Sequence, residues 1–311
     1  MTEPNLRHAD MKDEVHTLPN AHRAGTPTFA EFCMRLLFPC LCAIFAVSAV
    51  CHAQAPISDH SAVDPLKIVR DTSYNELRAA NDGHPFRYRT HKIDDGKSSV
   101  KLVVETRDGD MSRLIESDDK PLDADANQKE LARLNHLRDN PDEQARKHKR
   151  EQADSGHEDE MIKLLPQAFV YTYVGMVPGP NGPCYRLKFE PNSAFTPPDR
   201  QAEVYHGMAG EIWIDQAQQR MVKLDAHLVS DVNFGYGFLG RLFQGGTILV
   251  EQKDVGEHHW ETTHERLDLS GKILMVKALR INTTEDSSDF QPVPDTGYKP
   301  AIALLDSSPI P

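Results

Sequence analysis

The sequence predicts an α+β fold built on one curved antiparallel sheet, an open half-barrel, with an N-terminal helix and an inserted pair of charged helices. Three observations lead to this prediction. Strand patterns follow one another at short spacing, without the crossover helices that parallel strands require. A helical pattern precedes the first strand, and a long charged segment interrupts the strands midway. One domain accounts for this pattern within 311 residues.

Residues 1–53 are interpreted as an N-terminal extension and a signal peptide. An apolar run from Leu36 to Val50 is followed by Cys51-His52-Ala53, a small-x-small sequence of the kind that signal peptidase accepts. We expect cleavage after Ala53 and export of residues 54–311 as a single domain, to the periplasm or the outer envelope. The alternative is an uncleaved inner-membrane anchor, but the run is shorter than the roughly 20 residues that span a bilayer.

The first elements of the exported chain are predicted to be a helix and an antiparallel meander. Apolar residues recur at helical spacing over residues 61–80, and Asn81-Asp82-Gly83 supplies a stop signal. Residues 86–89 alternate in polarity and residues 100–106 are rich in β-branched side chains, with Asp95-Gly96 as a turn between them.

Residues 123–166 are dense in charged side chains and are predicted to form two helices, inserted as an arm. Asp125 and Gln128 are spaced as a capping box for the first helix. The second begins at Asn140-Pro141, where an N-cap residue precedes a proline at the first helical position. Because the body from Arg146 to Glu160 has almost no apolar stripe, we expect most of it to project as a solvated face.

Strand patterns dominate residues 168–282. Apolar and aromatic residues alternate on both sides of the turn Pro178–Gly182, which predicts a hairpin. Further strands are predicted over residues 210–215, 220–232, 247–254, 260–269 and 272–282, with Ser270-Gly271 as the last turn. The proline-rich residues 291–311 are predicted to be a flexible tail, with an order signal only at residues 301–305.

One hairpin carries a resemblance to a known group of proteins. The strand Gly210–Asp215, a short polar turn and the strand Arg220–Leu224, set after a leader and a helix, resemble the half-barrel carriers and sensors of the bacterial envelope, the LolA-like and RseB-like proteins. Those proteins are unclosed β-barrels with helices that plug the cavity. The resemblance covers residues 61–284 in element order, and it implies an apolar ligand, such as a lipid or a lipoprotein, or an envelope protein as partner. The charged helical insertion is unusual in that group.

Charge and motifs exclude several other functions. The net charge of −12 disfavours nucleic acid as a partner. A G-x-G-x-x-G pattern at Gly235–Gly240 is not followed by a helical pattern, so it predicts no dinucleotide cofactor. Neither G-x-S-x-G nor H-E-x-x-H occurs, and we therefore expect no catalytic or metal-ligating residues and no cofactor. Cys184, alone in the predicted exported chain, is interpreted as a buried apolar residue, with a reactive thiol as the alternative.

The candidate binding site is the glycine-punctuated segment from Phe234 to Phe243. Glycines at 235, 237 and 240 allow the segment to bend, and its apolar side chains offer contact area. The residues predicted to line an apolar ligand are Phe234, Tyr236, Phe238, Leu239 and Phe243; the alternative is that they form core.

We accordingly expect a non-catalytic binding protein of the cell envelope that touches membranes only peripherally or transiently. One alternative is an interaction or assembly protein that uses the charged arm. The other is an envelope hydrolase whose residues converge only in three dimensions.

Overall fold

The structure is a computed structural model of the chain, and it describes residues 63–79, 83–235, 237–274 and 276–308. The predicted leader, the cleavage site after Ala53 and the candidate residue Tyr236 lie outside the described residues.

The described strands form one antiparallel sheet. They are β1 (Phe86–Asp94), β2 (Lys97–Val104), β3 (Met111–Ser117), β4 (Lys120–Pro121), β5 (Phe169–Pro178), β6 (Pro183–Pro191), β7 (Met208–Asp215), β8 (Met221–Leu228), β9 (Val232–Phe234), β10 (Gly240–Leu242), β11 (Thr247–Gly256), β12 (His259–Ile273) and β13 (Lys277–Pro292). Their order is β4-β3-β2-β1-β13-β12-β11-β8-β7-β6-β5, and β9 and β10 extend the sheet beside β12. Because β4 and β5 are its two ends and do not pair, the sheet is open and the predicted fold class is confirmed.

Four α-helices and one 3-10 helix accompany the sheet in the described part of the chain. They are α1 (Pro65–Ala79), α2 (Ala124–Asp139), α3 (Pro141–Ala168), the 3-10 helix Gln201–Gly207 and α4 (Tyr298–Asp306). None of these helices is both long and apolar enough to cross a membrane.

The inserted helices begin close to the predicted positions. Asp123, rather than the predicted capping box at Asp125, caps α2, because its carboxylate accepts a hydrogen bond from the Ala126 amide at 2.8 Å. Pro141 is the first residue of α3, as predicted. The helix continues through Pro166 and ends at Ala168.

The main core lies between one face of the sheet and the helices α1 and α3. Ile68 and Val69 of α1 are buried in it, and Leu164 and Leu165 of α3 pack against it. The sheet contributes, among others, Leu187, Ile212, Leu228, Leu269 and Ile281. The charged arm therefore covers the sheet at its C-terminal end, whereas Arg146 to Glu160 contains no buried residue and presents the expected solvated face.

Hydrogen bonds also attach both ends of α3 to the body of the protein. The Gln144 side chain donates to the Asp108 carbonyl at 2.6 Å, and the Tyr205 hydroxyl donates to the Met161 carbonyl at 2.9 Å. The expectation of a projecting arm missed these contacts because the apolar residues of α3 are confined to its last two turns.

A second core lies under the other half of the sheet, where α2 and α4 pack on β2 and β3. Ala301, Ile302 and Leu305 of α4 are fully buried in it together with Leu134 of α2. The expected flexible tail thus contains an ordered helix. Its prolines lie mostly outside the helix, and the short apolar face at residues 301–305 is enough to dock it.

Candidate functional site

Two turns lie side by side at one end of the sheet. The first joins β9 to β10, and the second joins β12 to β13. Gly240, Arg241 and Leu242 of β10 pair with Ile273, Lys272 and Gly271 of β12. Beyond this ladder, the Leu274 amide donates a hydrogen bond to the Leu239 carbonyl at 3.0 Å. The backbone therefore fixes the two turns against each other.

Three large apolar side chains stand out from these turns. Phe238 is 63% exposed, Leu274 is 62% exposed and Val276 is 86% exposed. Val276 is the most exposed large apolar residue in the described chain. We call Phe238, Leu274 and Val276 the apolar tip. Exposed apolar residues that lie singly are ordinary, but a cluster on adjacent turns is typical of an interaction site.

Backbone hydrogen bonds connect the described residues of the turn that carries Phe238. The amides of Gly237 and Leu239 both donate to the Phe234 carbonyl, at 3.0 and 3.1 Å, and the Phe238 amide donates to the Gly235 carbonyl at 3.0 Å. Gly235 and Gly237 have φ values of 55° and 82°, which side-chain-bearing residues resist. These bonds hold the Phe238 backbone at the surface.

The structure separates the predicted ligand-lining residues into two groups. Phe234 is fully buried in the main core, Leu239 packs against the same core, and Phe243 is partly buried. Phe238 is exposed in the apolar tip. Phe234 therefore anchors the segment in the core, and Phe238 is exposed to solvent.

Leu274 and Val276 were missed by sequence reasoning because the hairpin turn was placed four residues too early. The predicted turn Ser270-Gly271 lies inside β12, and that prediction is wrong. Gly271 allows β10 to approach β12 closely, because a Cβ at this position would overlap the Arg241 carbonyl. The available signal was the apolar run from Ile273 to Val276, which is unusual for a turn.

A separate cleft of about 200 Å³ opens between β1, β12 and β13. It is lined by Tyr88, Glu261, Thr262, Glu265, Glu285, Ser287 and Phe290. The Tyr88 ring stacks on Phe290 at 4.9 Å, and Lys92 pairs with Glu285 at 3.2 Å. Burial, followed by nearby carboxylates, holds the pKa of Tyr88 well above its usual value, so the hydroxyl stays protonated. This acidic recess is unsuited to an apolar ligand.

Cys184 lies in a small cluster with Val222 and Trp260, apart from the apolar tip. Burial, and secondarily Asp215, raises the pKa of this thiol to about 11. A buried, protonated thiol is a poor nucleophile, which favours the apolar interpretation of Cys184. In the described residues no group of three His, Cys, Asp or Glu side chains is arranged to hold a metal ion.

No family model and no curated protein matches the sequence. Structure comparison finds a LolA superfamily protein from Nitrosomonas europaea (10% identity, TM-score 0.27, 76% of this chain and 97% of that chain). It also finds a domain from Vibrio parahaemolyticus described as an outer membrane lipoprotein-sorting protein domain, with 10% identity, a TM-score of 0.29, and coverage of 76% of this chain and 97% of that chain. A third match is MucB in complex with MucA(peri), with 10% identity, a TM-score of 0.22, and coverage of 75% of this chain and 100% of that chain. One of these matches is a LolA superfamily protein, the group that the sequence resembles. At 10% identity and TM-scores of 0.22 to 0.29, however, the ligands of these proteins cannot be assigned to this chain.

Proposed function

We propose that this protein is a non-catalytic binding protein of the cell envelope, and that it contacts an apolar partner, a lipid or a lipoprotein-like molecule, through the apolar tip. The observation that carries the proposal is the exposure of Phe238, Leu274 and Val276 on two turns that the backbone fixes side by side. Exposed apolar area is unfavourable in water, so a partner that covers it gains binding free energy.

The hydrogen bonds and the buried anchor that position the two turns support the same proposal. Binding costs less free energy when the contacting groups are already positioned, because little conformational entropy is lost on contact. Phe234, buried in the core, anchors one turn, and the hydrogen bond from the Leu274 amide to the Leu239 carbonyl connects it to the other. The predicted leader at residues 1–53 supports an envelope location.

The charged arm is a weaker candidate for the binding surface. Several of its charges are paired within the helix: Lys147 with Glu151, and Lys163 with Glu160 at 2.8 Å. Such pairs are typical of a solvated helix surface. The arm also covers the main core, which gives its helices a structural role.

The polar cleft is the candidate site for an envelope hydrolase. Its lining offers carboxylates, hydroxyls and the protonated Tyr88, without a histidine or cysteine among the lining residues. The apolar tip is therefore the better-supported site, and binding is the better-supported activity.

The test uses a dansyl-labelled fatty acid as a soluble apolar probe. Phe238→Ser is expected to weaken probe binding at least tenfold and to leave the melting temperature without probe nearly unchanged, because the side chain is exposed. Tyr74→Ser is the matched control, since Tyr74 is 65% exposed on α1, and it should bind the probe normally. Normal probe binding by Phe238→Ser would contradict the proposal.

A further inference from the structure

The charge around the apolar tip differs from that of the whole chain. Acidic residues outnumber Lys and Arg by 47 to 35 overall, yet none occurs from Val232 to Val250 or from Leu269 to Thr284. These two segments instead carry basic residues, all of them exposed: Arg241, Lys272, Lys277 and Arg280. We call these four residues the basic strip.

The strand register places three of these residues on one face of the sheet. Arg241 lies opposite Lys272 across β10 and β12, and Ser270 lies opposite Arg280 across β12 and β13. Since opposite and alternate residues share a face, Arg241, Lys272 and Arg280 point to the same side. The buried residues of these strands, such as Leu242 and Leu279, occupy the other face.

Two acidic residues, Asp231 and Asp268, lie beside the basic strip on the side away from the tip. Asp231 is 3.7 Å from Arg241 and precedes β9. Asp268 is on β12, four residues before Lys272. Following β12 toward its end, the chain passes Asp268, then Lys272, then Leu274 and Val276. Toward the tip, the side chains therefore change from acidic to basic and then to apolar.

From this gradient we propose that the apolar tip docks the protein onto the surface of a bilayer containing anionic lipids. Phe238, Leu274 and Val276 enter the interface between headgroups and acyl chains, and the basic strip contacts the anionic headgroups. This inference rests on the proposed function, because it specifies which lipid surface the tip meets. The protein lies on the membrane and does not span it.

Two features favour a bilayer over a protein partner. The tip consists of hydrocarbon side chains with no hydrogen-bonding group, and a lipid interface makes no demand for directional contacts. Lys and Arg can bury their aliphatic stems beside such a tip and still keep their charges at the headgroups. The net charge of −12 opposes approach to an anionic surface, so the attraction must come from the basic strip, which lies beside the tip, while more distant charges are screened.

The experiment is vesicle flotation with the purified protein. Vesicles of phosphatidylcholine alone are compared with vesicles that also contain phosphatidylglycerol, at low and at high salt. We expect the protein to float with the anionic vesicles at low salt, and to be released from them by high salt because the headgroup contacts are screened. Equal binding to both kinds of vesicle, or to neither, would overturn the proposal.

Two double variants separate the apolar and the electrostatic contributions. Leu274→Ser with Val276→Ser should abolish flotation, and Lys272→Glu with Arg280→Glu should lower the partition coefficient by roughly an order of magnitude or more. The matched controls are Val170→Ser, 58% exposed on β5, and Lys188→Glu, exposed on β6. Both controls should float normally. Unchanged flotation of the charge variant overturns the docking.

The soluble probe distinguishes failure of the docking from failure of the proposed function. If the fatty acid binds through Phe238 and the protein never floats with vesicles, the docking is overturned and the proposed function stands. If neither probe nor vesicle is bound, both are overturned. If the tip binds an envelope protein and the protein does not float with vesicles, the docking is also overturned. Circular dichroism of each variant confirms that it is folded.

Discussion

The guanidinium of Arg220 and the carboxylate of Glu76 form a bidentate ion pair, with both N–O distances at 2.9 Å. The pair connects α1 to β8, and Glu76 also accepts a hydrogen bond from the Met221 amide at 2.8 Å. Both side chains are about nine-tenths buried. The helix that closes one end of the main core is therefore attached to the sheet by a charged contact that water hardly reaches.

Glu76→Ala should destabilise the protein by about 3–5 kcal/mol, because it leaves the Arg220 charge buried and unpaired. Urea denaturation measures this loss. Glu211→Ala is the matched control: Glu211 pairs with Arg186 at 2.6 Å, but the side chains are 26% and 36% exposed, respectively. An exposed pair contributes about 0–1 kcal/mol. Equal losses in the two variants would contradict this account.

Asp110 should make stability depend on pH. Asp110 is exposed at its edge, but partial desolvation by the surrounding chain, and secondarily the charge of Glu151, raises its pKa from the ordinary 3.8 to about 6, while Lys147 opposes this shift. The folded protein therefore binds this proton more tightly than the unfolded chain. The resulting stabilisation is complete below about pH 4 and is lost as the pH rises through 6.

Asp110→Asn should remove this pH dependence. At pH 7 we expect the variant to be more stable than the parent, by about 1 kcal/mol or less because Asp110 is exposed and its interactions are screened by water, with little difference at pH 4. Denaturation midpoints across this range test it. Asp95→Asn changes an exposed turn residue, where asparagine tolerates the positive φ equally well, and should show no such trend. A variant that is less stable at pH 7 would refute the expectation.

Ile302→Ala should show that the C-terminal helix is part of the fold. Ile302 is fully buried against β2, β3 and α2, so its truncation should lower the free energy of unfolding by about 2–5 kcal/mol. Lys299→Ala, on the exposed side of α4, should have almost no effect. If both variants unfold at the parent's denaturant midpoint, α4 contributes no stability.

Gly271→Ala should disorder the apolar tip selectively. The new Cβ overlaps the Arg241 carbonyl, so β10 must shift away from β12, at an expected cost of about 1–3 kcal/mol. Amide hydrogen exchange should accelerate at Leu242 and Leu274, and fatty-acid binding should fall. Gly156→Ala is the control, because Gly156 has open space around it in α3 and should gain up to about 1 kcal/mol. Unchanged exchange at Leu274 would contradict the role of Gly271.

Local patterns predicted the elements of this fold well, and long-range contacts explain what they missed. The hairpin of β7 and β8, the start of α3 at Pro141 and the open antiparallel sheet follow from alternation, capping and spacing. The order of α4 does not, because its three buried residues gain stability only against β2, β3 and α2, which lie far earlier in the chain. Composition alone marks that segment as a tail.

The sequence predicts only one of the two turns of the candidate site, again because the other depends on long-range pairing. Glycine spacing identified the turn that carries Phe238, but the neighbouring turn at Leu274 depends on how far β12 extends. That length is set by pairing with β10 and β13. The sequence pattern predicts a turn at Gly271, whereas this glycine permits a close approach of strands. Which aromatic residues face inward depends on the same pairing.

The pairing of β1 with β13 joins the first described strand to the last. In addition, Arg113 of β3 donates hydrogen bonds to the carbonyls of Leu305, in the last turn of α4, and of Ser308, just after it, at 2.6 and 3.0 Å. A chain that emerges N terminus first can therefore form β1 to β4 long before the segments that complete their core exist. These early strands must wait with an unpaired edge and exposed apolar side chains until the final residues arrive, which is a hazard for aggregation. The stability of β1 to β3 therefore depends on β13 and α4, which are synthesised much later.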